Sequence, residues 1–328
     1  MKKLKDFFKN NYKFLIAVIL IILLFQVNLP YVVYTPGGLI DLKNRVEIDN
    51  SYETSGSFNM SYVSMINGNI PFLLLSYVIP NWDIEKTTDV TYENETLEET
   101  LEIDKALYEE SINNAIIAAF TESGKEIVIS KEDNEVIYIS SYSETNLEVG
   151  DILLKADGIE ITSLDTYKDI VENHELGDVI NLVVLRADEE KNISIVVKDD
   201  NSEKKTGIGF VTLKEIETDP TVEVTMAESE SGPSGGLMLA LSIYNSITEN
   251  DLSKGLKIAG TGTIDEAGNV GEIGGIKYKL LGAIKNDADI FICPADNYSE
   301  AKEILETENS NLKLISVSTL KEAIEKLS

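Results

Sequence analysis

The 328 residues hold one histidine, His174, and one cysteine, Cys293. A lone cysteine excludes an internal disulfide. One histidine and one cysteine fall short of a typical zinc site, so no metal is expected. Bases are also scarce: 28 Lys and Arg stand against 57 Asp and Glu, for a net charge of −29. That balance repels a phosphate backbone and excludes nucleic acid as a natural partner. Neither a Gly-x-Gly-x-x-Gly nor a Gly-x4-Gly-Lys-Ser/Thr run occurs, so nothing in the sequence cradles a nucleotide, and no cofactor is expected. Cys293 ends the apolar run Ile290-Phe291-Ile292-Cys293 and reads as core rather than as a reactive thiol.

What is present is ample apolar content, 43%, and room for two ordinary domains. One stretch stands out. Ser231-Gly232-Pro233-Ser234-Gly235-Gly236 must turn sharply. Before it, Thr221 to Met226 reads as a β-branched strand, and after it Leu237 to Ile247 is a densely apolar helix. Ser234 therefore sits where a helix begins, among unpaired, partly positive amides. Such a place suits either a serine N-cap or a nucleophile whose oxyanion the amides of Ser234 and Gly235 would receive. A nucleophilic serine needs a base. His174 is one choice, in a polar segment upstream. A lysine is the other, and its pKa must come down from about 10.4 towards neutrality, at about 4 kcal/mol. Lys277 follows Gly274-Gly275 at the start of the apolar helix Ile276 to Ile284, where the helix terminus and apolar neighbours both disfavour a cation.

The run from Gly232 to Cys293 resembles the proteolytic domain of the Lon peptidase family. That family uses a Ser-Lys dyad, with serine in Pro-Ser-Ala/Gly-Gly and lysine in Ile-Gly-Gly-(Leu/Ile)-Lys. Both motifs are here, with Lys277 43 positions after Ser234. The resemblance implies that Ser234 is the nucleophile, Lys277 the general base and Thr261, in a Thr-Gly pair, the group that orients the lysine. Many Lon proteases carry Asp where Ser231 stands. Glu110-Ser111-Ile112-Asn113-Asn114-Ala115 is similar to a helix that precedes the serine segment in such domains. Lon itself works with an ATPase, and its domains tend to form rings, so a homo-oligomer stays open.

The N-terminus carries five lysines in residues 1–13, followed by twelve unbroken apolar residues, Phe14 to Phe25. Val27 to Val33 prolong the run, interrupted by Asn28 and Pro30. No small-x-small cleavage site follows, so a transmembrane anchor over 14–33 is expected, its lysines cytoplasmic and the rest extracellular. Tyr34 to Gly38 reads as the linker off the membrane. Residues 45–123 read as short strands and a helix from Leu101 to Phe120. In 124–204, Gly150-Asp151-Ile152-Leu153 followed by Asp157-Gly158 resembles a PDZ domain, a module that binds extended peptides at a sheet edge.

The expectation is an α+β chain: a basic cytoplasmic tail (1–13), an anchor (14–33), the first part of a protease domain (45–123), a PDZ-like module (124–204) and a Lon-type catalytic domain (205–328). The protease domain is either split by the PDZ module or contiguous after it. The expected activity is a membrane-anchored, ATP-independent serine endopeptidase acting on extended or loosely folded peptides at a bacterial cell surface. The competing reading is a cell-surface PDZ scaffold with a degenerate protease fold.

Overall fold

A 25-residue helix, α1 (Lys2–Gln26), is followed after a single residue by strand β1 (Asn28–Asp41). The computed structural model describes residues 2–92, 95–200, 202–225, 227, 230–308 and 310–328, with residues 2–10 and 21 described by backbone alone. Met226, at the end of the expected strand before the serine turn, lies outside them.

The anchor expected over 14–33 is corrected at its second half. The helix stops at Gln26, and Val32 and Val33 are buried in a sheet. Pro30 cannot continue a helix, whereas paired β-branched valines favour a strand. Among the described residues, no helix is long and apolar enough to cross a membrane. Tyr34 to Gly38 is likewise not a linker: it lies within β1, where a register shift between Pro36 and Leu39 accommodates the glycines.

The chain continues through β2 (Val46–Ile48), β3 (Ser57–Asn69), α2 (Ile70–Ser76), β4 (Asp83–Lys86) and α3 (Thr87–Val90). Next comes α4 (Leu97–Ser123), opened by a reciprocal Thr96–Glu99 capping box and closed by Gly124 in the left-handed region. The PDZ segment holds β5 (Ile127–Ile139), β6 (Ile152–Ala156), β7 (Ile159–Glu160), α5 (Leu164–Glu172), β8 (Val179–Arg186), β9 (Glu189–Val196), β10 (Lys198–Asp200), β11 (Glu203–Lys205) and β12 (Ile208–Thr218). The remainder is β13 (Val222–Val224), α6 (Gly236–Ile247), β14 (Lys257–Gly260), the hairpin β15 (Thr263–Ile264) and β16 (Val270–Gly271), α7 (Ile276–Lys285), β17 (Ile290–Pro294), α8 (Tyr298–Glu308), β18 (Lys313–Val317) and α9 (Leu320–Leu327).

Two six-stranded sheets organise these pieces. The first runs β18-β17-β14-β3-β1-β4, so strands from both sides of the PDZ segment share one sheet. β14, β17, β18 and β3 pair in parallel, while β1 is antiparallel to β3 and β4. α6 packs into the core of this sheet through Leu237, Met238, Leu239 and Leu241, all fully buried. The protease unit thus begins with β1, ahead of the expected residue 45.

The second sheet runs β12-β5-β6-β8-β9, with β7 paired to β6 beside it, and encloses a separate core that includes Phe210. The boundary expected at 204/205 falls inside this unit, because β12 pairs with β5 along its whole length. The lower end of this ladder enters the protease core, where Ile127 and Ile216 pack with Phe120 and Ile243. Glu110 and Asn113 of α4 accept backbone N–H bonds from Thr212 and Lys214, both at 2.9 Å. Lys214 also reaches Glu132 in the PDZ sheet at 3.1 Å and Glu266 in the β15–β16 turn at 2.8 Å.

Candidate active site

Ser234 occupies a single 3-10 turn, Pro233–Gly235, that leads directly into α6. Hydrogen bonds to its carbonyls hold this turn from several sides. Ser111 donates to the Pro233 carbonyl at 3.0 Å, and Gly262 N–H donates to the Ser234 carbonyl at 2.8 Å. The Thr261 hydroxyl donates to the same Ser234 carbonyl at 3.0 Å. A Cβ at Gly235 would sit 1.9 Å from the Met60 sulfur, so a larger residue there must displace that side chain. Thr261 follows the carboxyl end of β14, where a ligand crevice outside parallel strands is commonly found.

α7 supplies the second half of the site. It starts at Gly275, whose φ of +69° only glycine adopts without strain. Asn297, buried, fixes the preceding turn by accepting from Ile273 N–H and donating to Ile273 C=O, both at 3.0 Å.

The lysine that this geometry brings to Ser234 is Lys279. Its Nζ donates to Ser234 Oγ at 2.7 Å and to Thr261 Oγ1 at 3.2 Å. Only 5% of the residue is exposed, and both partners are hydroxyls rather than carboxylates. Burial pulls its pKa down from 10.5 to about 8.

Lys277 does not reach the serine, which corrects its expected placement. Its Nζ pairs with Asp83 of β4 at 2.6 Å on the half-exposed side of α7. Tyr278 donates to the same carboxylate at 2.8 Å, and the Tyr278 ring lies 5.7 Å from that of Tyr34. Burial pushes the Asp83 carboxyl up, but the hydrogen bonds from Lys277 and Tyr278 outweigh it and hold the group below its usual range. The physical reason for the exchange is helical geometry. At about 100° per residue, positions 277 and 279 point to nearly opposite sides of α7.

Lys279 was missed, and a signal for it existed. Ile276, Leu280 and Ala283 form the buried face of α7, and Lys279 stands on that stripe at the spacing of a core residue. Thr261 does touch a lysine amine, that of Lys279. His174 is held in the PDZ unit, with Nε2 2.9 Å from Asp157 and Nδ1 2.8 Å from the Ile170 carbonyl. Cys293 is buried, and burial pushes its thiol up to about 12. Among the described residues, no group of three or more His, Cys, Asp or Glu could hold a metal.

A cleft of about 1100 Å³ opens over Ser234 and Lys279. β3 forms one wall through Tyr62, Val63 and Met65, and Tyr108 with the Arg45–Glu230 ion pair lies at another. A nucleophilic hydroxyl in contact with a buried amine of low pKa, at the floor of an open cleft, is equipped for acyl transfer.

Residues 218–327 match the family of the Lon protease (S16) C-terminal proteolytic domain, and residues 115–197 match the PDZ domain family. Among curated proteins, the Lon protease of Neorickettsia sennetsu is 35% identical over 98 residues. That of Aster yellows witches'-broom phytoplasma is 32% identical over 98 residues. Lon protease 1 of Bacillus subtilis is 33% identical over 99 residues. Each match covers 30% of this chain, and the chain spans 12% of the length of each relative.

Proposed function

We propose that this chain, which carries a Lon-type proteolytic domain of the serine peptidase class and a PDZ domain, is an ATP-independent, membrane-anchored endopeptidase with a Ser234–Lys279 dyad. One observation carries the reading: Lys279 Nζ lies 2.7 Å from Ser234 Oγ, in a buried setting with no carboxylate partner among the described residues.

Neutral Lys279 takes the proton of Ser234 as Oγ attacks a peptide carbonyl carbon. The resulting oxyanion is received by backbone amides of the turn, with those of Ser234 and Gly235 the nearest candidates. The Lys279 ammonium then passes its proton to the departing amine, leaving an acyl-serine. Water attacks that ester, Lys279 takes a proton from it, and collapse of the second tetrahedral adduct returns the proton to Ser234 and frees the acid. Thr261 holds the amine on the serine throughout. Lys277, committed to Asp83, takes no part in proton transfer.

The sequence offers no nucleotide-binding loop, which supports action without an unfoldase on extended or loosely folded chains. A PDZ module is suited to selecting such peptides at a sheet edge. For anchoring, the support is the exterior of α1, where Phe14, Ile16, Ile19, Leu20 and Phe25 are all exposed. The lysines before them favour a cytoplasmic N-terminus and a catalytic body outside the cell. A homo-oligomer belongs to the same reading, carried by the resemblance alone.

Hydrolysis of an unfolded, fluorescently labelled protein by wild type, Ser234→Ala, Lys279→Ala and Lys277→Ala tests the core of this reading. The first two variants should be inactive and the third active. Equal hydrolysis by all four would leave a peptide-binding scaffold with a degenerate protease fold. Loss with Lys277→Ala and retention with Lys279→Ala would return the base to Lys277.

A further inference from the structure

The chain is 26% charged, yet no Asp, Glu, Lys or Arg stands between Glu53 and Asp83. The centre of that stretch, Ile70 to Pro80, is α2 and the turn after it. α2 buries none of its residues. Leu74 is 63% exposed, Tyr77 82% and Val78 79%, with Leu75 exposed between them. Single apolar residues on a surface are ordinary, but a contiguous patch of this kind marks something that covers it.

Its place in the fold says what the cover is. The Phe25 ring at the end of α1 meets Phe72 of α2 edge-on at 5.7 Å, and Phe72 lies 6.3 Å from Trp82. Asn69 also donates to the Phe25 carbonyl at 3.3 Å. The patch is therefore continuous with the apolar exterior of α1. Only Val27 separates α1 from β1, so no linker holds the body away from whatever α1 enters. The twelve apolar residues of α1 span about 18 Å, well short of a hydrocarbon core of about 30 Å. A short anchor without a linker draws the body onto the bilayer, and α2 is the face beside it. Tyr77 and Trp82 are the side chains that favour the water–lipid boundary. With a net charge of −29, adhesion must come from apolar insertion rather than from attraction to anionic headgroups.

We propose that α2 and the Tyr77–Pro80 turn form a lipid-docking element lying in the interface of the bilayer that α1 enters. The inference rests on the reading of α1 as a membrane anchor. It has a consequence for the active site. β3 enters α2 and β4 follows it, and Met65 and Glu85 of these strands line the cleft. Met65 is about 17 Å of strand from Ile70, so docking holds that end of the cleft near the membrane surface.

Trp82 is the only tryptophan, so its fluorescence reports on this element alone. The full chain is reconstituted into phosphatidylcholine vesicles brominated either near the headgroup or near the chain end, and co-flotation is measured alongside quenching. Docking predicts that the protein floats with the vesicles and that Trp82 is quenched more by the shallow label. Leu74→Glu with Val78→Glu should abolish quenching while flotation through α1 and hydrolysis of a soluble peptide persist. Flotation of wild type without quenching overturns the docking element and leaves the anchor standing. Quenching unchanged in the double variant also overturns it, and points to a protein partner for the patch. Failure to float at all removes the anchor and the docking element together.

Discussion

Two lysines on one turn of α7 meet opposite fates. Lys277 faces outward to a carboxylate, with the pair Asp83–Lys277 about one-third exposed, and Asp83 gains from the cation. Lys279 faces inward to two hydroxyls, and burial weakens its hold on a proton. The difference is not in the residue type or in the helix but in which side of the cylinder each occupies. A charged lysine is stabilised where a carboxylate waits for it. It becomes a base where the protein supplies hydroxyls and withholds the carboxylate.

The largest effect that sharpens this contrast is on turnover. Lys279→Met should lower kcat/KM on an unfolded substrate by about 10²–10⁴-fold, the usual worth of a positioned base. Lys277→Met should leave it within about a factor of ten of wild type, since a helix residue beside the chemistry alters only positioning. The wild-type rate should rise with pH through about 8, as Lys279 loses its proton. A rate that is flat from neutrality to pH 9 would break the comparison at its inward side.

Lys279→Met should move stability in the opposite direction to turnover. The Lys279 pKa is about 8 in the fold and near 10.5 when free, so the unfolded chain holds the extra proton between these values. Wild-type stability should therefore climb as pH rises through that window. At neutral pH the buried ammonium costs about 3 kcal/mol. Lys279→Met removes that cost and leaves two hydroxyls short of a partner, at about 1 kcal/mol each. The variant should be inactive yet about 1 kcal/mol more stable at pH 7, an advantage that vanishes near about pH 9 and becomes a deficit of about 1 kcal/mol by pH 10. Chemical denaturation at several pH values reads this directly.

Thr261 offers a finer cut, because it contacts both the Lys279 amine and the Ser234 carbonyl. Thr261→Val keeps the shape and removes both bonds. A fall in kcat of about tenfold is expected, equivalent to one hydrogen bond of about 1.4 kcal/mol, with recovery in Thr261→Ser. Equal defects in the two variants would mean that shape, not the hydroxyl, matters there.

The serine side of the site was legible because Pro-Ser-Gly-Gly between a β-branched run and an apolar helix admits few geometries, and Ser234 stands at that turn. The lysine was misread because counting along the chain from Ser234 reached Lys277, whereas rotation about the helix decides what faces inward. The stripe Ile276, Leu280, Ala283 carried that information, and Lys279 is its one polar member. Two errors in the fold have a common source. Val27 to Val33 is apolar enough to prolong a membrane helix, but its valines are pinned by pairing to β3 and β4, far along the sequence. β12 was placed in the wrong unit because its partner, β5, precedes it by about 80 residues. Local periodicity reports an element and its buried face. It says nothing of which distant strand completes the ladder.

The smallest effect lies on the outward side of α7. Asp83 and Lys277 form an ion pair open to solvent, and such pairs contribute about 0–1 kcal/mol. Asp83→Asn should therefore lower stability by less than about 1 kcal/mol at pH 7. Its pH dependence carries a definite sign. The Asp83 pKa is depressed in the fold, so its contribution is present above the ordinary carboxylate pKa and fades as acid protonates the group. Wild type and Asp83→Asn should converge in acid and differ at neutrality. Activity is the more telling readout, because β4 and α7 touch through this pair and through Tyr278. If the contact merely covers surface, kcat keeps its rise through about pH 8 in the variant. If it also sets how α7 seats Lys279, that rise moves towards higher pH as water reaches a loosened amine, and the two lysines prove to be linked through the helix they share.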